Sequence, residues 1–288
     1  MKKNIIGAII TAGLLGASHG ALVIDESFSQ DNSVSTSLGG KTAGTGLTGT
    51  WSTNSTVDII TPTTITYGDL DNAGGEVQMT AGGGTDAYVT TSSALSDAGL
   101  LADGATLWFS FMHEKTGVGG NTNSKGGFAF GTDRIDGAFN GTNMTNSGNG
   151  LGLQLLGSNV SAASWAGGGN FFSTGALGTL AADTSYFFVG RIDWGATVGD
   201  VETITIYDPS TSSLGTLGSA FSTTTMAGVD QTLFDTISMT TRDSGEGIVK
   251  YDEIRFGSDY ASVSPIPEPS AALLGGLGVL LLLRRRRS

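Results

Sequence analysis

Val201-Glu202-Thr203-Ile204-Thr205-Ile206-Tyr207 alternates polar and β-branched positions with a period of two, the pattern of a half-buried antiparallel strand with Ile204 and Ile206 facing inward. Outward from it, short apolar or alternating runs recur, each bounded by Gly, Asn, Asp or Ser. They are Leu22 to Ile24, Glu76 to Thr80, Ala87 to Thr91, Thr106 to Met112, Gly127 to Phe130, Leu151 to Leu156, Tyr186 to Asp193, Phe234 to Thr240 and Ile248 to Phe256. About ten strands with turn-rich spacers predict an all-β, two-sheet antiparallel sandwich. Ser29 to Asn54 and Gly137 to Asn149, rich in Gly, Thr and Asn, are expected as surface loops or partly disordered segments.

The 46 glycines suit turns and strands, while helix-forming Lys, Glu, Arg and Gln are scarce, so long helices are not expected before the C-terminal tail. No repeat of fixed period and no proline-rich linker divides Ala21 to Val263, so residues 21–264 read as one domain. Of 14 basic residues, Lys2, Lys3 and Arg284 to Arg287 lie in the terminal segments. The body from 21 to 264 keeps eight against 25 acidic residues, a balance of −17, which disfavours phosphate backbones and excludes nucleic acid as a partner. Without cysteine there is neither a disulfide framework nor a thiolate metal site or nucleophile. His19 and His113 are the two histidines, and the first falls in the leader, so a mature histidine cluster is not available.

Residues 1–20 combine Lys2-Lys3, an apolar stretch from Ile5 to Leu15 and Ala17-Ser18-His19-Gly20, the layout of a secretion signal peptide. Cleavage after Gly20 puts Ser18 and Gly20 at the two small-residue positions. At the other end, residues 265–288 run through Pro265-Ile266-Pro267-Glu268-Pro269-Ser270, an uncharged stretch Ala271 to Leu283, and Arg284, Arg285, Arg286 and Arg287. Thirteen residues at about 1.5 Å each span roughly 20 Å, short of the ~30 Å hydrocarbon core. Seven leucines and a valine contribute roughly −2 to −5 kcal/mol, partly offset by three glycines, so this transmembrane helix is a marginal anchor. The arginine cluster stays cytoplasmic by the positive-inside rule and leaves the acidic body outside the inner membrane.

This ending resembles the PEP-CTERM sorting signal, with the motif at Pro267-Glu268-Pro269. The resemblance implies an exosortase as processing partner and a transient inner-membrane stage. It further implies a final place at the cell surface or in the extracellular matrix of a Gram-negative bacterium that makes extracellular polysaccharide. An ordinary C-terminal membrane anchor is the alternative reading. Within the body, Tyr186-Phe187-Phe188-Val189-Gly190-Arg191-Ile192-Asp193-Trp194, Val201 to Pro209 and Tyr251-Asp252-Glu253-Ile254-Arg255-Phe256-Gly257-Ser258 resemble concanavalin A-like (laminin-G-like) jelly rolls. That resemblance implies two packed antiparallel sheets with a concave face.

A glycosidase needs two carboxyls across a groove, and laminarinase-like members of this superfamily carry Glu-x-Asp-x-x-Glu. No such sequence occurs here, and no Gly-x-Ser-x-Gly elbow accompanies His113-Glu114-Lys115, which reads as a polar strand end after Met112. A chain that is not an enzyme is therefore expected. Asp25-Glu26 on the first strand and Asp252-Glu253 on the last are expected to be neighbours, and hard oxygen ligands suit calcium. By resemblance to laminarinase-like relatives, Glu26, the Gly75 carbonyl and Asp252 would hold a structural Ca²⁺, with solvated strand-end acids as the alternative. Trp108 and Trp194 sit in strand patterns and are expected in the core. Trp165, in Ser164-Trp165-Ala166-Gly167-Gly168-Gly169-Asn170, reads as a loop residue that stacks on a sugar ring. The functional expectation is an exported structural or adhesive component of a polysaccharide layer, with a lectin-like carbohydrate-binding module as the alternative and a divergent glycoside hydrolase third.

Overall fold

A computed structural model of the chain describes residues 20–29, 35–68, 74–80, 84–116, 125–136, 143–145, 148–156, 158–167, 170–173, 180–210, 212, 214–242 and 247–264. The leader up to residue 19 and the tail from 265, with the sorting motif and arginine cluster, lie outside the described residues. The strands are β1 Leu22–Glu26, β2 Ser35–Ser37, β3 Leu47–Thr53, β4 Val57–Ile60, β5 Glu76–Thr80, β6 Thr85–Thr91, β7 Thr106–Thr116, β8 Lys125–Gly131 and β9 Ile135–Asp136. They continue as β10 Asn143–Met144, β11 Gly150–Leu156, β12 Asn159–Ala166, β13 Asn170–Ser173, β14 Ser185–Asp193, β15 Val201–Tyr207, β16 Ala220–Ala227, β17 Thr236–Arg242 and β18 Ile248–Gly257. Two one-turn helices, α1 Ala94–Asp97 and α2 Tyr260–Val263, and a 3-10 turn at Gln231–Leu233 accompany them.

β9 and β10 pair as a separate hairpin, while the other sixteen strands form two antiparallel sheets packed as a jelly-roll sandwich. One runs β16-β15-β14-β7-β18-β5-β4-β2, with β1 also paired to β18, and the other runs β13-β12-β11-β8-β17-β6-β3. The first and last strands are neighbours as expected, with Asp25 opposite Arg255 and Glu26 opposite Ile254. A bulge between Asp252 and Arg255, with Glu253 at a φ of 53°, marks the point where β18 leaves β5 and takes β1 on the same edge.

Alternation puts one set of side chains from each sheet into a common interior. Ile204 and Ile206 are fully buried there, in agreement with their period-two pattern. Aromatic rings fill the centre: Phe111 stacks on Phe128 at 4.3 Å, and Phe109 lies 5.6 Å from Phe256. Trp194 is in the core, its indole donating to the Leu100 carbonyl at 2.7 Å. Trp108 is not: it lies half-buried on the outer face of the nine-stranded sheet, stacked on Tyr207. Its neighbours Leu107 and Phe109 take the inward positions, so strand parity sends it out.

Two loop expectations need correction. Ser29 to Asn54 contains β2 and β3, and β3 inserts Trp51 into the core although its other positions are Gly, Thr and Ser. Gly137 to Asn149 contains β10, while 137–142 and 146–147 lie outside the described residues.

Candidate functional site

The outer face of the seven-stranded sheet carries what alternation leaves over from the core. Across it runs a row of directly opposed residues: Asp86 faces Thr240, Thr240 faces Gly127, Gly127 faces Gln154, and Gln154 faces Ser161. The next row is Tyr88, Ser238, Ala129, Gly152 and Ala163, followed by Thr90, Thr236, Gly131, Gly150 and Trp165. The middle of the face is thus small, with polar groups along one side and an indole in one corner.

The hairpin β9–β10 packs onto this small-residue floor. A Cβ at Gly131 or Gly150 would lie 2.8 or 2.9 Å from Met144 Cε, and one at Gly127 would lie 3.3 Å from Ile135 Cδ1. Glycine there admits the hairpin. Its ties to the sheet include Ile135 N–H donating to Ser238 Oγ at 3.1 Å and an Arg134–Asp86 ion pair at 3.5 Å. The Arg134 guanidinium also sits 4.7 Å from the Tyr88 ring centroid.

Beside the hairpin the polar groups are incompletely satisfied. Gln154 is fully buried, and neither its Nε2 nor its Oε1 has a hydrogen-bond partner. The Trp165 Nε1 is likewise buried without a partner. Each such group costs about 1–3 kcal/mol in lost hydration. Three of them on one face are a concentrated cost that core packing does not require, since Leu153 and Leu155 on either side of Gln154 already fill the interior.

A second polar cluster lies on the outer face of the nine-stranded sheet. Lys250 Nζ donates to Glu114 Oε1 at 2.8 Å and to Thr64 Oγ1 at 2.6 Å, and stands 3.7 Å from Glu76 Oε1. Glu76 also accepts from the backbone N–H groups of Thr64 and Ile65 and from Gln78. Burial pushes its carboxyl up, but the bonds from Gln78 and Thr64 and the Lys250 charge outweigh that and hold it below the usual range. Burial, with the Glu253 carboxylate alongside, pushes Asp252 well above its ordinary value. The bonds of Glu76 and Lys250 to Thr64 and Ile65 brace segment 61–68, while Asp252 Oδ2 stays buried without a hydrogen-bond partner.

The sequence-predicted site residues fall apart in space. Glu26 points into the sandwich, where its carboxylate accepts from Phe28 N, Gly44 N and Trp51 Nε1 at 2.8, 2.8 and 2.9 Å. Asp252 opposes Met112, which belongs to the cluster on the outer face of the same sheet. Glu26 and Asp252 therefore project from opposite faces, and three N–H donors occupy the oxygens that a cation would need. The Glu26, Gly75 and Asp252 set does not fit Ca²⁺, and no group of three or more such acids or histidines placed to hold a metal occurs among the described residues.

Trp165 is not a loop residue. It lies in β12, fully buried in a cluster with Ala129, Ile135, Met144 and Ala163, because the strand continues through Ala166 and the hairpin covers it. His113 is not a strand end either, since β7 runs on to Thr116. It is buried between Tyr251 and Phe188, and desolvation lowers it to about 3, so it stays neutral.

No protein-family model matches the chain, and no curated protein does. Among solved structures, it is similar to an endo-β-1,4-glucuronan lyase from the fungus Trichoderma reesei, at 11% identity and a TM-score of 0.45 over 85% of this chain and 99% of that one. A carbohydrate esterase from the Shiga toxin-encoding bacteriophage phi24B matches at 12% identity and a TM-score of 0.48, over 84% and 100%. The binding domain of botulinum neurotoxin DC in complex with SialylT matches at 8% identity and a TM-score of 0.47, over 84% of this chain and 50% of that one. The expectation that the chain is not an enzyme is corrected by these matches. A lyase and an esterase stand among the similar structures, at 11% and 12% identity.

Sequence reading missed Gln154, Asp86 and Arg134. A signal for Gln154 is present: it interrupts the Leu151, Leu153, Leu155 alternation on the face that does not enter the core. Asp86 and Arg134 come from segments 48 residues apart, and only sheet order joins them.

Proposed function

We propose that this chain is an exported surface or matrix protein that engages a hydroxyl-rich polysaccharide through the outer face of its seven-stranded sheet. The observation that carries the reading is the buried Gln154 amide with both polar atoms unpartnered, in line with Asp86, Thr240 and Ser161. A carboxamide offers one donor and one acceptor side by side, the complement of two adjacent sugar hydroxyls. Ligand hydroxyls would relieve the hydration cost of the amide, which gives the bound state a differential gain. Because Ile135 lies over Gly127, the cross-strand partner of Gln154, binding involves displacement of the β9–β10 hairpin. The −17 balance of the body repels polyanions, so a neutral polymer is the class its charge admits.

Export and sorting enter the same reading. Lys2-Lys3 with the Ile5 to Leu15 stretch supports a signal peptide, and Pro267-Glu268-Pro269 with Arg284 to Arg287 supports handling by an exosortase at the inner membrane. A lectin-like role and a structural role in the polysaccharide layer both use the proposed face. The test is retention of the purified full-length protein on polysaccharides from the native matrix, with release of soluble sugar followed in parallel. Retention that disappears in Gln154→Leu is expected. Equal retention of both proteins would overturn the assignment to this face, and released sugar would add a catalytic step to it.

A further inference from the structure

Gly20 and Ala21 open the described body against its last strand and helix. Gly20 N–H donates to Asp259 Oδ2 at 2.8 Å, Ala21 N–H donates to Ser258 Oγ at 2.9 Å, and Ser258 N–H donates back to the Ala21 carbonyl at 3.1 Å. A Cβ at position 20 would lie 2.4 Å from both Asp259 Cγ and Ser258 Oγ, so a larger residue there would push these side chains aside. Asp259 is also the N-cap of α2, accepting from Ser262 N at 2.8 Å. The helix is tied down in turn, with Ser110 Oγ donating to the Val263 carbonyl at 2.6 Å and Gly215 N–H donating to Ser264 Oγ at 3.1 Å. Both ends of the sandwich therefore meet at one corner, immediately before Pro265.

We propose that the Ser258–Asp259 corner is the seat of the mature chain's α-ammonium, created at Ala21 when a signal peptidase hydrolyses the Gly20–Ala21 bond. The inference rests on the export reading above. Water supplies a hydroxyl to the Gly20 carbonyl carbon, which leaves with the leader as a carboxylate. The Ala21 nitrogen takes both protons of that water, one of them released as the new carboxyl ionises, and is an ammonium at neutral pH, the ordinary α-amino value being about 7.7–8.0. Loss of Gly20 frees Asp259 Oδ2, and the ammonium one position along takes it, with Ser258 Oγ already in range. The bond from a neutral N–H to the carboxylate is replaced by one in which donor and acceptor are both charged. The cut precedes docking, because the folded corner engages the N–H groups of both residues at the scissile bond and leaves no room around Gly20. Removal of the leader then sets a full positive charge beside the carboxylate that caps α2, at the root of the opposite tail.

The test uses protein recovered from exporting cells. Mass spectrometry is expected to place the first residue at Ala21. Titration of the α-amine, followed by NMR after labelling, is expected to give a value about 0.2–0.7 unit higher in the wild type than in Asp259→Asn, the range of an exposed ion pair. Ser262→Ala, which removes the hydroxyl bonded to the Asp259 backbone but keeps the carboxylate and its backbone N–H donor, is expected to titrate like the wild type. A chain starting at Ala21 with the same titration in wild type and Asp259→Asn would overturn the seat alone. A chain still starting at Met1 would overturn the leader reading and the seat with it.

Discussion

The Trp51 indole N–H donates to Glu26 Oε2 at 2.9 Å and so joins β3 of one sheet to β1 of the other through the interior. The same carboxylate accepts from Phe28 N and Gly44 N. Glu26→Ala leaves three donors without an acceptor and is expected to cost about 3 kcal/mol or more, at roughly 1–3 kcal/mol each. Urea unfolding followed by tryptophan fluorescence measures it. Saturating calcium is expected to leave the melting temperature unchanged. A calcium-dependent rise abolished by Glu26→Ala would contradict the placement of Glu26 and Asp252 on opposite faces of the sheet.

Gln154→Leu separates binding from stability. The substitution removes two unpartnered buried polar atoms and keeps the volume, so unfolding free energy is expected to rise by about 1–2 kcal/mol while polysaccharide retention is lost. A structural glutamine would show the reverse, lower stability with retention intact.

His113, lowered to about 3 by burial, is neutral in the folded protein and protonates near 6.5 when unfolded. The unfolded state therefore binds the extra proton between these values. The stability His113 contributes is present above about pH 6.5 and is lost as pH falls toward 3, by about 1.4 kcal/mol per unit. His113→Phe, which suits the flanking Tyr251 and Phe188 rings, is expected to flatten the pH dependence of the melting temperature in that window.

Asp252 carries the opposite sign. Its raised value means that the folded state holds the proton after the unfolded state has released it, so stability declines as pH rises from about 3.9 toward the folded value. Asp252→Asn keeps an acceptor for the Glu253 N–H and is expected to raise the melting temperature at neutral pH, the gain vanishing toward pH 4. A loss at neutral pH would point to a charged Asp252 in the folded protein.

Period-two alternation was enough to determine the two-sheet architecture, because burial on one face constrains every second residue. The inward placement of Ile204 and Ile206 follows from it, whereas the β1 to β18 neighbourhood was implied by the jelly-roll resemblance. Strands whose local composition is that of a loop escaped notice. Among them β3 and β12 are stabilised by what lies opposite them, Glu26 for Trp51 and the β9–β10 hairpin for Trp165, and no local preference reports such a partner. Net charge, absent cysteine and the layout of the two ends are properties of the chain itself, readable without folding. Which carboxylates face each other is decided by strand order and by the single-residue bulge in β18. That bulge sets the parity of every side chain beyond it, and neither the spacing of Glu26 and Asp252 in the chain nor their chemistry encodes it.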